Sequence, residues 1–557
     1  MDAREDVRGR EVRARLLTAF GLLAVLVAPA AARAAPPTGR LSVLVAPERR
    51  PHAAAARALA ARAGARPDGP VVPQIGLITV RPLAGRSLSA TARALRRLPG
   101  VQSVAVEHRY TLRQLPNDPA LSTNDPSAGT TFEWAPQREG FPHAWDITHG
   151  ASALVGVIDT GADASHPDLA GKIHAAVSFD STPTDGPATT DQSGHGTHVA
   201  SLACAATGNG VGIAGAGYDC QLVIEKNDLT DDNVAAALID ATDRGAQAIN
   251  MSFGSDGARV VPEAITRAID YAVGHQVVLV AAASDNPTQE QGDPANLLQP
   301  TGTGPLLDQG KGLTVTAATV DDQRAWFAGS GTQISLSAYG AFRPGSPPFG
   351  IGASGPPGIL AAFPANQTEF EQGLSPCGCR TALNSDPRYG YLQGTSMAAP
   401  QVTAAAALVR ALNPDITALG VARILKQTAR RAAGTWTPDL GWGILDAGAA
   451  VDLARRVDVT PPTTRVTVPR HTHSRSVVVR WTGTDPVRPG LIASGLKTVS
   501  LYVGRDGRKP HFIKRTAHHT IRYRVRPGSI YRFYTLGVDN AGNHERKGRT
   551  ASTRALR

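Results

Sequence analysis

Between about residue 130 and residue 457 the chain repeats one unit: a short apolar run, a break, then a stretch with helical spacing. The runs are ALVGVID, QLVIEK, AQAINMSF, QVVLVAAA and GLTVTAAT, and the helical stretches include GHGTHVASLACAA, DDNVAAALIDATDRG and PEAITRAIDYAVGH. Runs this apolar on both faces suit strands buried on both sides, and a parallel sheet covered by crossover helices buries them that way. The alternation therefore predicts an α/β, three-layer domain over residues 116–458, with functional residues on loops at the strand C-termini.

The flanks read differently. Residues 36–115 alternate extended and helical segments (LSVLVAP, HAAAARALAARAG, IGLITVRPL, SLSATARALRRLPG, VQSVAVEHRYTL), predicting a small α+β unit, and PNDPALSTNDPSAG follows as a linker. After DVTPPTTRV the pattern becomes SVVVRWTG, GLKTVSLYVG, TIRYRVRPG and IYRFYTLGVDNAGN, strands with turn signals that predict an all-β sandwich of immunoglobulin or fibronectin type III character over 460–557. Ahead of all this, Arg8, Arg10, Arg13 and Arg15 precede the run LLTAFGLLAVLVA and a small-residue stretch ending at Ala34. That is the layout of a secretory signal over residues 1–34; the run is too short to span a membrane comfortably. The expectation is an exported, extracellular monomer without a transmembrane segment.

Charge is unevenly distributed. Residues 1–115 carry 19 Lys/Arg against 7 Asp/Glu, residues 116–459 carry 18 against 35, and residues 460–557 carry 20 against 4, giving balances of +12, −17 and +16. An acidic centre argues against nucleic acid as a partner and allows the first segment to associate with it electrostatically. Of the four cysteines, Cys204 and Cys220 flank a Gly-rich turn that brings them within disulfide reach in an exported chain, whereas Cys377 and Cys379 in PCGC are spaced too closely for an ordinary bridge, leaving their state open.

YLQGTSMAAPQVTAAAALVRAL places Ser396 at a loop-to-helix junction, with Thr395 or Ser396 as N-cap and Pro400 in the first turn. Free N–H groups at a helix start stabilise an oxyanion. A serine is a weak nucleophile unless an imidazole takes its proton and a carboxylate holds that imidazole. ALVGVIDTG ends a strand at Asp159, and DQSGHGTHVASL offers His195 or His198 at a helix start. The chain order is Asp, His, Ser.

VIDTG, HGTHVA and GTSMAAP, with INMSFG, VVLVAAA and GWGILDAGAAV, resemble the subtilisin family of serine endopeptidases across residues 130–457. The resemblance implies that Asp159 orients the base, His195 rather than His198 is the base, and Ser396 attacks the scissile carbonyl. It also implies that Ser252, Phe253 and Gly254 form an edge strand pairing with extended peptide, while Ala281, Ala282 and Ala283 line the adjoining pocket. Where the family carries an oxyanion-binding Asn, this chain reads AAASDNP: without a gap Asp285 takes the place and Asn286 follows, the gap-free placement being preferred. The resemblance further implies an inhibitory ferredoxin-like propeptide at 36–115, cut between about Leu112 and Asp118, protein or peptide substrates, and no cofactor for the chemistry. A structural calcium near Asn209 and Asp118 is left unassigned, ordinary turn residues being an equal reading. An aspartic-protease reading of VIDTG leaves the other motifs unexplained, and a metal site at His195 and His198 lacks a third ligand. The alternative from another class is a catalytically weak, peptide-binding scaffold with an envelope- or polymer-binding C-terminal domain.

Overall fold

The computed structural model describes residues 37–46, 52–108, 115–180, 186–255, 257, 262–343, 358–372, 377–430, 435–488, 490–546, 548 and 550–556 of the 557-residue chain. The leader reading at 1–34 lies outside the described residues, as does part of the expected cleavage window.

The first unit is an antiparallel sheet ordered Ala65–Val72, Leu77–Pro82, Pro37–Val45, Val101–His108, with helices Ala53–Arg62 and Leu88–Arg96. Leu41, Val43, Ile78, Val80 and Leu95 form its own core. The Ala65–Val72 strand is absent from the sequence reading because ARPDGPVV looks like a turn. It is an edge strand, where proline is tolerated, and its register slips between Pro67 and Val71, which absorbs the Asp-Gly-Pro interruption.

The central sheet has seven strands in the order Leu336–Tyr339, Leu313–Ala318, Val278–Ala282, Ala248–Met251, Leu154–Asp159, Gln221–Lys226, Ile173–Ser178, every neighbouring pair parallel. Alternation divides each strand between two helical layers. Ile158, Ile249, Met251, Leu279 and Ala281 pack under helices Asp231–Asp243 and Glu263–Gly274. Val155, Val157, Ala248, Val280 and Ala282 face the opposite layer, which contains helices His195–Cys204 and Thr395–Leu412. Ala-rich helices let this layer approach closely: Ala404, Ala405, Ala406 and Ala407 are all fully buried. A small antiparallel sheet, Ile359–Ala362, Asp386–Leu392 and Arg380–Leu383, delivers the chain directly to the Ser396 turn.

The C-terminal region packs a three-stranded sheet (Thr463–Thr467, Ser476–Thr484, Thr520–Arg524) against a five-stranded one (His471–Thr472, Thr550–Ala555, Ile530–Asp539, Leu496–Arg505, His511–Thr516) around Val479, Trp481, Leu501 and Phe533. It touches the central region where the Ile492 N–H donates to the Arg455 carbonyl at 2.7 Å and Arg488 pairs with Asp415 at 2.9 Å. Cysteines pair as Cys204–Cys220, with Cα atoms 5.6 Å apart, and Cys377–Cys379, with Cα atoms 5.0 Å apart. The second pairing answers the question that the PCGC spacing leaves open. No helix among the described residues is long and apolar enough to cross a membrane.

Candidate active site

Asp159 ends its strand on the face that carries Val155 and Val157, so it points toward the helical layer containing His195 and Ser396. His195 is the first residue of the His195–Cys204 helix, and its Nδ1–H donates to Asp159 Oδ1 at 2.8 Å. The same oxygen accepts the Thr160 N–H at 2.8 Å, and the side chains of His195 and Asp159 are 14% and 3% exposed. This bond leaves Nε2 as the imidazole's outward nitrogen; it carries no hydrogen bond among the described residues. Burial acts most strongly to lower the His195 pKa, but the charges of Asp159, Asp191 and Asp285 together outweigh it and hold the value above the ordinary one.

Asp191, which sequence reasoning missed, anchors the start of this helix. Its Oδ1 accepts the Gly194 N–H at 2.9 Å and the Thr160 hydroxyl at 2.9 Å; its Oδ2 accepts the Thr197 N–H at 2.8 Å and the Thr197 hydroxyl at 2.7 Å. It therefore satisfies helix-start donors while joining the turn after Asp159 to the turn before His195. The signal was present in DQSGHGT as an acidic residue ahead of a glycine-led helix start. Gly194 has φ +89°, and a Cβ on Gly196 would lie 2.1 Å from the Gly161 carbonyl, so the glycines permit the turn and the close approach that brings His195 to Asp159.

His198, one turn further along, belongs elsewhere. Its Nε2–H donates to the carbonyls of Ile359 and Gly390 at 3.0 and 3.2 Å, and burial drives its pKa down to about 3. It is a neutral strut between this helix and the small antiparallel sheet.

Ser396 is the second residue of the Thr395–Leu412 helix, and Gly394 is the N-cap, which corrects the expectation of Thr395 or Ser396 there. Pro400 consequently sits in the second turn instead of the first. Its missing N–H would have bonded to the carbonyl of residue 396, four positions back. The Ser396 carbonyl instead accepts the Ser252 hydroxyl at 2.8 Å, and the Ser396 hydroxyl donates to the Ser252 carbonyl at 2.9 Å. Asn250 Nδ2 donates to Ser252 Oγ at 2.8 Å, and the Thr403 hydroxyl donates to Asn250 Oδ1 at 3.0 Å. A chain of buried polar contacts thus fixes the end of the Ala248–Met251 strand to the Ser396 helix. The Ser396 N–H carries no hydrogen bond among the described residues.

Asp285 is turned toward the same helix start: its Oδ1 accepts the Thr395 N–H at 2.8 Å and lies 2.9 Å from the Thr395 hydroxyl. An ionised carboxylate occupied as an acceptor has no proton to donate, so the gap-free placement puts a helix-capping group, rather than a donor, at that position. Asn286 is exposed beside it, and both residues line a cleft of about 310 Å³ with Phe253, Gly254, Ala282, Ala283, Thr395 and Ser396. One expectation is corrected here. Ala281 does not line the cleft, because strand alternation sends it into the opposite layer. Within the chain itself the ladder ends at Met251, Ser252 turns its hydroxyl and carbonyl to Ser396, and Phe253 and Gly254 border the cleft. A wider cleft of about 730 Å³, between Asp163, Asp191, Gln192 and Pro364–Gln372, opens beside the His195 turn.

Behind the His195 helix, the 207–214 loop folds over three buried carboxylates. Asp118 accepts the Gly208 N–H at 2.7 Å, Asp168 accepts the Ile213 N–H at 3.0 Å and the Asn209 amide at 3.3 Å, and Glu133 accepts the Ala214 N–H at 3.0 Å. Burial raises the pKa of all three, that of Asp168 to about 6. The loop N–H donors offset part of that cost.

The sequence profile of the Subtilase family matches residues 150–443. Among curated relatives, the thermophilic serine proteinase of Bacillus sp. (strain AK1) is 28% identical over 357 residues, covering 63% of this chain and 73% of its own. Thermitase of Thermoactinomyces vulgaris is 27% identical over 332 residues, 58% of this chain and 94% of its own. An extracellular protease of Xanthomonas campestris pv. campestris is 30% identical over 454 residues, 72% of this chain and 68% of its own. A parallel sheet with a buried Asp–His pair at the C-terminal end of one of its strands, a serine at the start of the facing helix and a profile match over the same residues have one common explanation: this chain belongs to the subtilase family and is a serine-type endopeptidase.

Proposed function

We propose that Ser396 is the nucleophile, His195 its general base and then acid, and Asp159 the group that orients His195. The observation that carries this is the 2.8 Å bond from His195 Nδ1 to Asp159, which leaves Nε2 as the basic nitrogen. As Ser396 Oγ exchanges its bond to the Ser252 carbonyl for one to Nε2, the proton passes to the imidazole and Oγ bonds to the substrate carbonyl carbon. Collapse of the tetrahedral intermediate breaks the C–N bond and His195 returns the proton to the leaving amine. Water, deprotonated by His195, then attacks the acyl carbon, the C–Oγ bond breaks, and His195 returns the proton to Ser396 Oγ as the acid leaves. The unoccupied Ser396 N–H and the exposed Asn286 amide are the proposed oxyanion donors. Peptide lies along Ser252, Phe253 and Gly254 with a side chain in the cleft floored by Ala282 and Ala283.

The chemistry needs no cofactor. Asp118, Asp168 and Asn209, gathered at one loop with burial-strained carboxylates, fit a calcium ion that would stabilise that loop. The reading extends to a zymogen. Residues 1–34 direct export, and 36–115, with a core of its own and a balance of +12 against the central −17, is an inhibitory propeptide removed to give the extracellular enzyme comprising 116–458 and the 460–557 sandwich. Treatment of the secreted protein with a fluorophosphonate, followed by intact and peptide mass analysis, is expected to give one adduct on Ser396 in a chain starting near residue 116. A folded, processed chain that takes no adduct would overturn the proposed roles.

A further inference from the structure

The outer face of the three-stranded sheet carries arginines and hydroxyls but no carboxylate. Alternation sends Thr464, Val466, Val477, Val479 and Trp481 into the sandwich core and leaves Arg465, Arg480, Arg522 and Arg524 exposed on the other side. Register sets Arg480 between Thr467 and Thr520, Arg465 opposite Thr482, and Arg522 and Arg524 opposite Val478 and Ser476. Adjacent strands lie about 4.8 Å apart and same-face residues repeat about every 7 Å along a strand, so the four guanidinium groups share one flat patch. None of the four has an ion-pair or hydrogen-bond partner for its side chain among the described residues, whereas Arg488 of the same sandwich is paired with Asp415. Thr463, Arg465, Thr482 and Thr484 border a shallow cleft of about 310 Å³ at one end of the patch.

The sandwich has too few acids to neutralise this face. Of four Asp/Glu in residues 460–557, Asp539 and Glu545 are buried, Asp485 accepts the Gly495 N–H, and Asp506 caps the hairpin before His511–Thr516 on the other sheet. Four like charges held close on a rigid sheet repel one another, and the compensating charge must come from outside the domain.

We propose that this face binds a linear anionic polysaccharide, its guanidinium groups pairing with carboxylate or sulfate groups and its threonines bonding to sugar hydroxyls. Nucleic acid fits the face less well. It has no aromatic ring on which a base could stack, because the exposed Phe512 and its neighbour Tyr502 lie on the other sheet. It also has no helix to enter a groove. The inference is independent of the roles proposed for Asp159, His195 and Ser396.

The test is titration of the full secreted chain with polygalacturonate, dextran sulfate, uncharged dextran, and single- and double-stranded DNA over a range of salt. Binding to polygalacturonate or dextran sulfate but not dextran is expected, the stronger of the two identifying the acid group preferred. Replacing Arg465, Arg480, Arg522 and Arg524 by Gln should weaken binding at least about tenfold at low salt and reduce the slope of log K against log salt by about one for each arginine that pairs with the polymer. A variant with Arg508, Lys509, Arg532 and Arg554 replaced by Gln removes equal charge from elsewhere on the sandwich and should stay close to the parent. An unchanged Trp481 fluorescence spectrum and thermal unfolding profile verify that the sandwich of each variant is folded, and R522Q/R524Q replaces the quadruple variant if that one is not. Equal losses in the two variants, no binding to either polyanion, or tighter binding to DNA at the same salt would each overturn the proposal.

Discussion

The two helices that meet at the active site start in the same way but are held differently. The His195 helix follows Gly194 and is capped by Asp191, a residue three positions before the cap, whose carboxylate is nearly inaccessible and makes four hydrogen bonds. The Ser396 helix follows Gly394 and is capped by Asp285, more than a hundred residues away, through the N–H and hydroxyl of Thr395. The base is thus positioned by its local sequence and the nucleophile by tertiary contacts to two other strand ends, Ser252 and Asp285. Damage to one helix start should accordingly stay local, while damage to the other should spread through the sheet.

The sharpest way to break this contrast is Asp191→Ala. It removes four bonds at one point and should cost about 2–3 kcal/mol of stability, with roughly a hundredfold fall in kcat/KM as His195 loses its position. Thermal unfolding and steady-state kinetics check both, and a variant with wild-type kcat/KM would show that Asp159 alone is enough.

Acid should separate the helices in a second way. Burial pulls His198 down to about 3, so the unfolded chain takes up its proton first and the native state loses stability as pH falls from about 6.5 toward 3. His195, raised by its carboxylates once burial is overcome, contributes in the opposite sense: its stabilisation is full below about 6.5 and is lost as pH rises through its folded value. The His198 depression is expected to dominate. Hydrogen exchange at pH 5 should therefore be faster than at pH 8, after correction for intrinsic rates, in His195–Cys204, with a smaller change in Thr395–Leu412. Equal changes would mean that the two helices open as one unit.

The smallest effect is expected from Asp285→Asn. The amide oxygen still accepts from Thr395, so stability should hold, but one negative charge near His195 is gone. The acid limb of the kcat/KM profile should move to lower pH. An unmoved limb would show that Asp285 acts on Thr395 alone.

The same difference explains what is legible in the sequence. DQSGHGTHV and VIDTG each mark a candidate group within a few residues, but spacing alone does not separate His195 from His198, and the resemblance to the subtilisin family makes that choice. Parallel-strand runs such as QVVLVAAA are equally plain, because burial on both faces leaves no polar residue to confuse the pattern. The N-cap and the turn containing Pro400 are hidden because the helix start at Gly394 is fixed by Asp285, and no local spacing encodes that contact. The side of the sheet that Ala281 faces depends on where its strand ends, which a continuous apolar run does not mark. The Ala65–Val72 and Thr463–Thr467 strands are masked by proline or by hydroxyl-rich sequence on edges where little is buried, and the short, hydroxyl-rich Thr550–Ala555 strand lacks an apolar run to mark it.

The bridge between Cys204 and Cys220 spans 16 residues and closes around the loop whose amides bind Asp118, Asp168 and Glu133. A closed ring of about that size limits the unfolded chain by roughly 3 kcal/mol on an entropic account. Its first cysteine ends the helix that begins with His195. Both cysteines are fully buried, so the bridge keeps the far end of the lever that carries the imidazole tethered where a thiol from the medium does not reach it.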